Sequence, residues 1–73
     1  MPHIIVKLWP GRSEEQKIAL ANKMAKAMEE VMAIEEKHIS VAFEEIPKEK
    51  WLEEVYQPDI VAKEKLLYKK PGY

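Results

Sequence analysis

The pattern of apolar and polar positions divides the first two thirds of the chain into a strand, a long helix and a second strand. Residues 2–9 are almost continuously apolar, and the β-branched residues Ile4, Ile5 and Val6 favour a strand over a helix. Because this run does not alternate cleanly, it is typical of a strand that is buried on both faces. Pro2 fits the first position of such a strand, where a missing backbone donor is tolerated.

A turn and a long amphipathic helix follow the first strand. The Pro-Gly pair at positions 10 and 11 marks the turn, and Ser13 with Gln16 three residues later forms a capping box at the helix start. Apolar residues recur at helical spacing as far as Met32 and fall on one side of the helix, opposite charged residues. The sequence therefore predicts a helix from about Ser13 to Met32, with one wide face suited to covering a sheet.

The remainder of the chain contains one more strand and a less regular region. Positions 38–46 alternate between apolar and polar residues, which predicts the second strand. Because strand, helix and strand in series form a βαβ unit, the two strands are expected to be parallel. Residues 48–56 are compatible with a short helix, and residues 58–66 with another that has Pro58 at its first position. Residues 68–73 are too broken for a helix.

These elements predict a single α+β domain over residues 1–73, a βαβ unit with two parallel strands and one long helix. A composition of 47% hydrophobic and 34% charged residues is typical of a globular domain. A domain of this size, however, buries only about 60% of its unfolded surface, and a two-stranded sheet leaves both edges open. We therefore expect oligomerisation to complete the sheet, with a four-stranded sheet across a homodimer as the first choice.

Composition also excludes several classes of function. The chain has no cysteine, so disulfides, thiolate metal sites and cysteine nucleophiles are ruled out. The formal net charge is −1 with both signs interspersed, which argues against a nucleic-acid partner. No apolar run approaches the roughly 20 residues of a membrane span, and no basic and then apolar leader is present, so we expect a cytoplasmic protein without a membrane partner. His3 and His38 do not belong to a local ligand cluster, so no metal is expected.

Short motifs near the start of the chain occur at a characteristic spacing. Pro2 opens the first strand, the run Gly11–Lys17 (GRSEEQK) leads into the helix, and the aromatic residue Trp51 follows the second strand. Together these motifs, over residues 2–51, resemble the 4-oxalocrotonate tautomerase family. The Met-Pro-His-Ile opening and the extended C-terminal region are more similar to its dimeric branch, which includes phenylpyruvate-type tautomerases. The family's archetype is shorter and hexameric, so a hexamer is the alternative to the homodimer.

The resemblance implies a cofactor-independent isomerase that interconverts the keto and enol forms of a 2-oxo acid. Family members use the nitrogen of an N-terminal proline as the general base, which makes Pro2 the expected catalytic residue once Met1 is removed. An amine of this kind is largely protonated at neutral pH. Burial beside apolar walls and a nearby arginine favour its neutral form, which can accept a proton.

Four further residues are expected to bind the substrate. Arg12 lies in a turn before a helix, where its guanidinium can hold a carboxylate through two hydrogen bonds. Leu8 and Trp51 are expected to form apolar walls. Ser40 stands where the archetype has a second arginine, and it offers only a neutral hydrogen bond. A monocarboxylate enol with a bulky apolar tail, such as phenylenolpyruvate, therefore fits better than a diacid.

Other interpretations of the same residues remain open. Pro2 is also tolerated as the second residue of many small proteins, Arg12 also fits a solvated turn paired with Glu15, and Trp51 also fits ordinary packing. His3 neighbours the expected base but favours a surface or structural role. Because folds host unrelated functions, the alternatives are a non-catalytic oligomeric binding protein and a hydratase or dehalogenase on the same scaffold.

Overall fold

The first two thirds of the chain form a βαβ unit. A computed structural model describes all residues, Met1–Tyr73. Strand β1 (His3–Leu8) is followed by helix α1 (Glu14–Met32) and strand β2 (Ser40–Glu45). The strands are parallel and pair in register along all 6 residues of each. This confirms the predicted fold class and the predicted order of these three elements.

Local capping defines both ends of α1. At the start, the Ser13 hydroxyl accepts from the Gln16 backbone N–H at 3.1 Å, and the Gln16 side chain accepts from the Ser13 backbone N–H at 3.1 Å. Ser13 is therefore the N-cap, and the predicted capping box is confirmed. At the end, Ala33 takes a left-handed conformation (φ 56, ψ 39) and donates to the carbonyl of Glu29 at 3.0 Å.

The segment after β2 differs from the sequence-based expectation. A 3₁₀ turn at Lys48–Lys50 leads into one π-helix, Leu52–Val61, which contains Pro58 in its interior. The prediction of two short helices that meet at Pro58 is therefore wrong. In a π-helix each backbone N–H donates to the carbonyl five positions earlier, as Ala62 does to the Gln57 carbonyl at 3.0 Å. Pro58 has no backbone N–H, so the π-helix lacks one such hydrogen bond but continues past this residue. A last 3₁₀ turn covers Glu64–Leu66, and residues 68–73 are irregular, as predicted.

A single chain buries few of its side chains. Only Ala25, at 8% exposed, and Val55, at 4%, are buried. Large apolar side chains on β1 and α1, among them Ile5, Ile18 and Val31, remain exposed. Burial of β1 on both faces is therefore not reached within one chain and remains a prediction for an assembly. None of the helices combines the length and apolarity that crossing a membrane requires.

An ion pair connects α1 to the C-terminal end of the sheet. The Lys17 ammonium lies 2.9 Å from a carboxylate oxygen of Glu45, the last residue of β2, and 3.3 Å from Glu14 in its own helix. The hydrogen bond to Glu45 is the main reason that the pKa of Lys17 is raised above its usual value. This contact fixes the first turns of α1 over the C-terminal ends of both strands.

Candidate active site

A cavity of about 750 Å³ opens at the C-terminal end of β1. Its volume lies in the range of small-molecule sites in proteins. It brings together three of the predicted site residues, Leu8, Arg12 and Trp51. The complete lining consists of Lys7, Leu8, Trp9, Pro10, Gly11, Arg12, Trp51 and Tyr73.

The backbone on both sides of Arg12 is fixed. Gly11 has φ 122, a conformation that side-chain-bearing residues rarely adopt, and it turns the chain away from β1 toward α1. Ser13, on the other side, is held by the capping box. Arg12 forms no ion pair within the chain, so the alternative in which Glu15 neutralises it is wrong. Its guanidinium is therefore an uncompensated cation at the cavity.

Two indole rings and a phenol form the aromatic wall of the cavity. The rings of Trp9 and Trp51 meet edge to face, with centroids 6.5 Å apart and planes at 90°. The indole N–H of Trp51 donates to the Tyr73 hydroxyl at 3.2 Å, and the Tyr73 ring lies 5.8 Å from that of Tyr56. The ammonium of Lys48 sits 5.2 Å from the centroid of Trp9. Trp51 therefore has the pocket position expected from the sequence.

A second cation at the cavity, Lys7, is already neutralised. Its ammonium lies 2.5 Å from a carboxylate oxygen of Asp59 on the π-helix, and Lys63 approaches the same carboxylate at 3.7 Å. The hydrogen bond between them raises the pKa of Lys7 and lowers the pKa of Asp59. Lys7 therefore stays charged, but Asp59 offsets its charge, and Arg12 is then the one cation of the cavity lining without a carboxylate partner.

The other two predicted site residues lie at the opposite end of the sheet. The Ser40 backbone N–H donates to the Pro2 carbonyl at 3.2 Å, and the Ser40 hydroxyl lies 2.6 Å from Nδ1 of His3. At about 3.3 Å per strand residue, Pro2 is on the order of 20 Å from Leu8. Within one chain, Pro2 and Ser40 are thus separated from the cavity that holds Arg12.

Sequence reasoning did not predict five of the lining residues as site residues, and it assigned two of them, Pro10 and Gly11, only to the turn. The other three are Lys7, Trp9 and Tyr73. Lys7 had a signal, because it is the charged residue that interrupts the apolar run of β1. Trp9 had a weaker one, as an aromatic residue at the start of the turn. Tyr73 had no local signal, because its contact with Trp51 spans 22 positions. No group of three or more His, Asp or Glu side chains lies close enough together to hold a metal ion.

Comparison with known proteins identifies the chain. A family model described as tautomerase enzyme matches residues 2–56. The chain belongs to the tautomerase family. A probable tautomerase of Xylella fastidiosa is 44% identical to it over 73 residues, which cover the whole of this chain and 89% of the relative. Tautomerase PptA of Pectobacterium atrosepticum is 43% identical over 74 residues, which cover this whole chain and 97% of that protein.

Solved structures of tautomerase homologues share its fold. TomN, a 4-oxalocrotonate tautomerase homologue in the tomaymycin biosynthetic pathway, matches with a TM-score of 0.66 and 34% identity over 68% of this chain and 77% of its own. YwhB, another homologue, matches with a TM-score of 0.62 and 38% identity over 64% of this chain and 77% of its own. The resemblance to the 4-oxalocrotonate tautomerase family is therefore confirmed, and this tautomerase is an enzyme of the isomerase class.

Proposed function

We propose that this tautomerase interconverts the enol and keto forms of a 2-oxo acid that carries one carboxylate and an aromatic tail, with the Pro2 nitrogen as general base. The observation that carries the proposal is the cavity itself, in which one uncompensated guanidinium, that of Arg12, lies beside two indole rings. An anionic end and a flat apolar end are the features that such a site recognises.

The charges at the cavity favour a monocarboxylate over a diacid. Arg12 can hold one carboxylate through two parallel hydrogen bonds. Lys7 is compensated by Asp59 at 2.5 Å and adds little net positive charge. Ser40 offers no cation, and its hydroxyl contacts His3. Phenylenolpyruvate, which has one carboxylate and one aromatic ring, is accordingly the substrate type we propose.

The chemistry requires a free amine at Pro2. While Met1 is attached, the Pro2 nitrogen is an amide whose lone pair is delocalised, so it cannot accept a proton. Removal of Met1 turns it into a secondary amine. In the neutral form this amine takes the proton of the enol hydroxyl as the carbonyl forms, and then delivers a proton to the adjacent carbon. Arg12 holds the carboxylate during both transfers and favours the negative charge that develops on the oxygen.

The separation of Pro2 from the cavity requires a second chain. A base on the order of 20 Å from Leu8, at the cavity end of its own strand, cannot reach a substrate held in that cavity. We propose a homodimer in which Pro2 of one subunit reaches the cavity of its partner, with a hexamer as the alternative. A two-fold arrangement satisfies both sites at once, because each subunit offers the same two ends. The exposed apolar side chains Ile5, Ile18 and Val31 supply surface for such contacts.

The base is tested by combining mass spectrometry with kinetics. The mature protein should lack Met1, and it should accelerate ketonisation of phenylenolpyruvate, followed by ultraviolet absorbance. Pro2→Ala should lower kcat by roughly 10²- to 10⁴-fold, the usual contribution of a positioned general base. If the mature protein accelerates no enol acid, or if Pro2→Ala retains the wild-type rate, the proposal fails.

The binding of the substrate carboxylate by Arg12 is tested with the same assay. Arg12→Ala should raise KM at least tenfold, because a charged hydrogen bond to the carboxylate is lost. Lys26→Ala, which removes an exposed cation from α1, is the matched control and should leave KM unchanged. Equal effects of the two substitutions would show that overall charge, and not the position of Arg12, determines affinity.

A further inference from the structure

Tyr73 lies outside the part of the chain that matches the family model, yet it forms part of the cavity wall. The family match ends at residue 56, whereas the Tyr73 side chain lines the same cavity as Arg12 and Trp51. Its ring rests against Tyr56, with centroids 5.8 Å apart, and its hydroxyl accepts from the Trp51 indole at 3.2 Å. Two contacts therefore hold a C-terminal side chain at the site.

The hydrogen bond from Trp51 determines what the Tyr73 hydroxyl can offer a ligand. An indole N–H is a donor only, so the hydroxyl must act as the acceptor in this pair. The hydroxyl hydrogen is not used in that bond. Tyr73 makes no second side-chain hydrogen bond within the chain. Its hydrogen is thus free to be donated to a ligand oxygen in the cavity.

A series of aromatic contacts joins this donor to the turn that carries Arg12. Trp9 stands three positions before Arg12 in the same turn, Trp51 meets Trp9 edge to face, and Tyr73 bonds to Trp51. Contacts therefore run from the turn that carries Arg12 through both indoles to the phenol. A carboxylate held by Arg12 directs the tail of its ligand along the indoles toward Tyr73.

We propose that Tyr73 is a specificity-determining residue, whose hydroxyl, oriented by Trp51, donates a hydrogen bond to an oxygen on the ring of an aryl 2-oxo acid. The inference rests on the proposed function for the position of the carboxylate at Arg12. To that function the inference adds a substrate preference. The preferred substrate carries an aromatic ring with a hydrogen-bond acceptor at the end remote from the carboxylate.

Binding of two matched, unreactive acids tests the inference without turnover. The probes are 3-(4-acetylphenyl)propanoate and 3-(4-isopropenylphenyl)propanoate, which have nearly the same shape but differ by a carbonyl oxygen in place of a CH₂ group. Isothermal titration calorimetry should show the acetyl probe binding roughly 3- to 10-fold more tightly, as one added hydrogen bond predicts. Tyr73→Phe should bring the ratio of the two Kd values close to one.

Two further variants separate orientation from simple loss of a hydroxyl. Trp51→Phe keeps an aromatic wall but removes the indole donor, so it should also lower the ratio, and adding it to Tyr73→Phe should have little further effect on the ratio. Tyr68→Phe removes a hydroxyl from a fully exposed ring and should leave the ratio at its wild-type value. A wild-type ratio near one, an equal loss for both probes in Tyr73→Phe, or an unchanged ratio in Trp51→Phe would each overturn the inference.

Arg12→Ala distinguishes failure of this inference from failure of the proposed function. It should weaken both probes equally, because they share the carboxylate. If Arg12→Ala weakens both and the wild-type ratio is one, the role of Tyr73 alone is overturned. If neither probe binds the wild-type protein, or if Arg12→Ala changes neither affinity, the carboxylate site is wrong and the role of Tyr73 is overturned with it.

Discussion

The capping box at the start of α1 controls the stability of the helix next to Arg12, and its contribution can be worked out bond by bond. Ser13→Ala removes the hydroxyl that accepts from Gln16 N–H at 3.1 Å, while the reciprocal bond survives because it uses the Ser13 backbone. Loss of an N-cap serine costs about 1 kcal/mol in the free energy of unfolding. Gln16→Ala removes only the reciprocal bond and should cost about 0.5 kcal/mol, the lower end for one hydrogen bond.

Urea unfolding, followed by circular dichroism of the helix, measures these costs. All variants are compared at one protomer concentration, because association of folded chains adds to apparent stability. A loss of about 1 kcal/mol corresponds to a fall of about 4–8 °C in Tm for a domain of this length. Ser13→Asn is the matched control, since it keeps a side-chain acceptor and should stay within about 0.3 kcal/mol of the wild type. The reasoning is refuted if Ser13→Ala is as stable as wild type, or if Ser13→Asn loses as much.

Three other predictions concern the helix end, the core and the ion pair at the cavity. Ala33→Gly should raise the free energy of unfolding by about 0.5–1 kcal/mol in the same urea assay, because glycine adopts the left-handed conformation at φ 56 without strain; a lower value would contradict this. Val55→Ala should cost about 2 kcal/mol, from two lost methyl groups and the space they leave. Val31→Ala, the same change at a side chain 83% exposed, should cost under about 0.5 kcal/mol at low protein concentration, and equal losses would refute the assigned burial. The hydrogen bond from Lys7 lowers the pKa of Asp59 below its ordinary value of 3.8, so the stability it contributes is present above that value and is lost as pH falls through the lowered pKa. The urea midpoint should therefore decline less steeply with falling pH for Asp59→Asn than for the wild type. Identical pH dependences would show that Asp59 does not contribute to the loss of stability in acid.

The elements that could be predicted from the sequence are those determined by neighbouring residues. The β-branched run of β1, the helical spacing of α1 and the reciprocal pairing of Ser13 with Gln16 are local signals, and each produced the expected structure. The parallel direction of β1 and β2 follows from the helix between them, because two adjacent strands joined by a helical crossover run parallel.

The features that could not be predicted depend on contacts between distant positions. Pro58 normally indicates a helix boundary, but here the π-helix continues past it and Asp59 bonds to Lys7, 52 positions away. Tyr73 reaches the cavity through Trp51 and not through any motif of its own. By contrast, the separation of Pro2 from the cavity end of β1 can be calculated from the strand length alone, because six strand residues span about 20 Å.

Because Pro2 precedes β1 and Arg12 follows it, variants of the two residues should complement each other in mixed dimers. If each site takes its base from one subunit and its carboxylate-binding arginine from another, two variants that each have a low kcat/KM can complement each other. Pro2→Ala and Arg12→Ala chains, unfolded together in equal amounts and refolded, should form hybrid dimers in which one site keeps both residues and the other keeps neither. Random pairing makes about half of the dimers hybrid, so about one quarter of the wild-type kcat/KM should return. A chain that built its whole site alone would recover none.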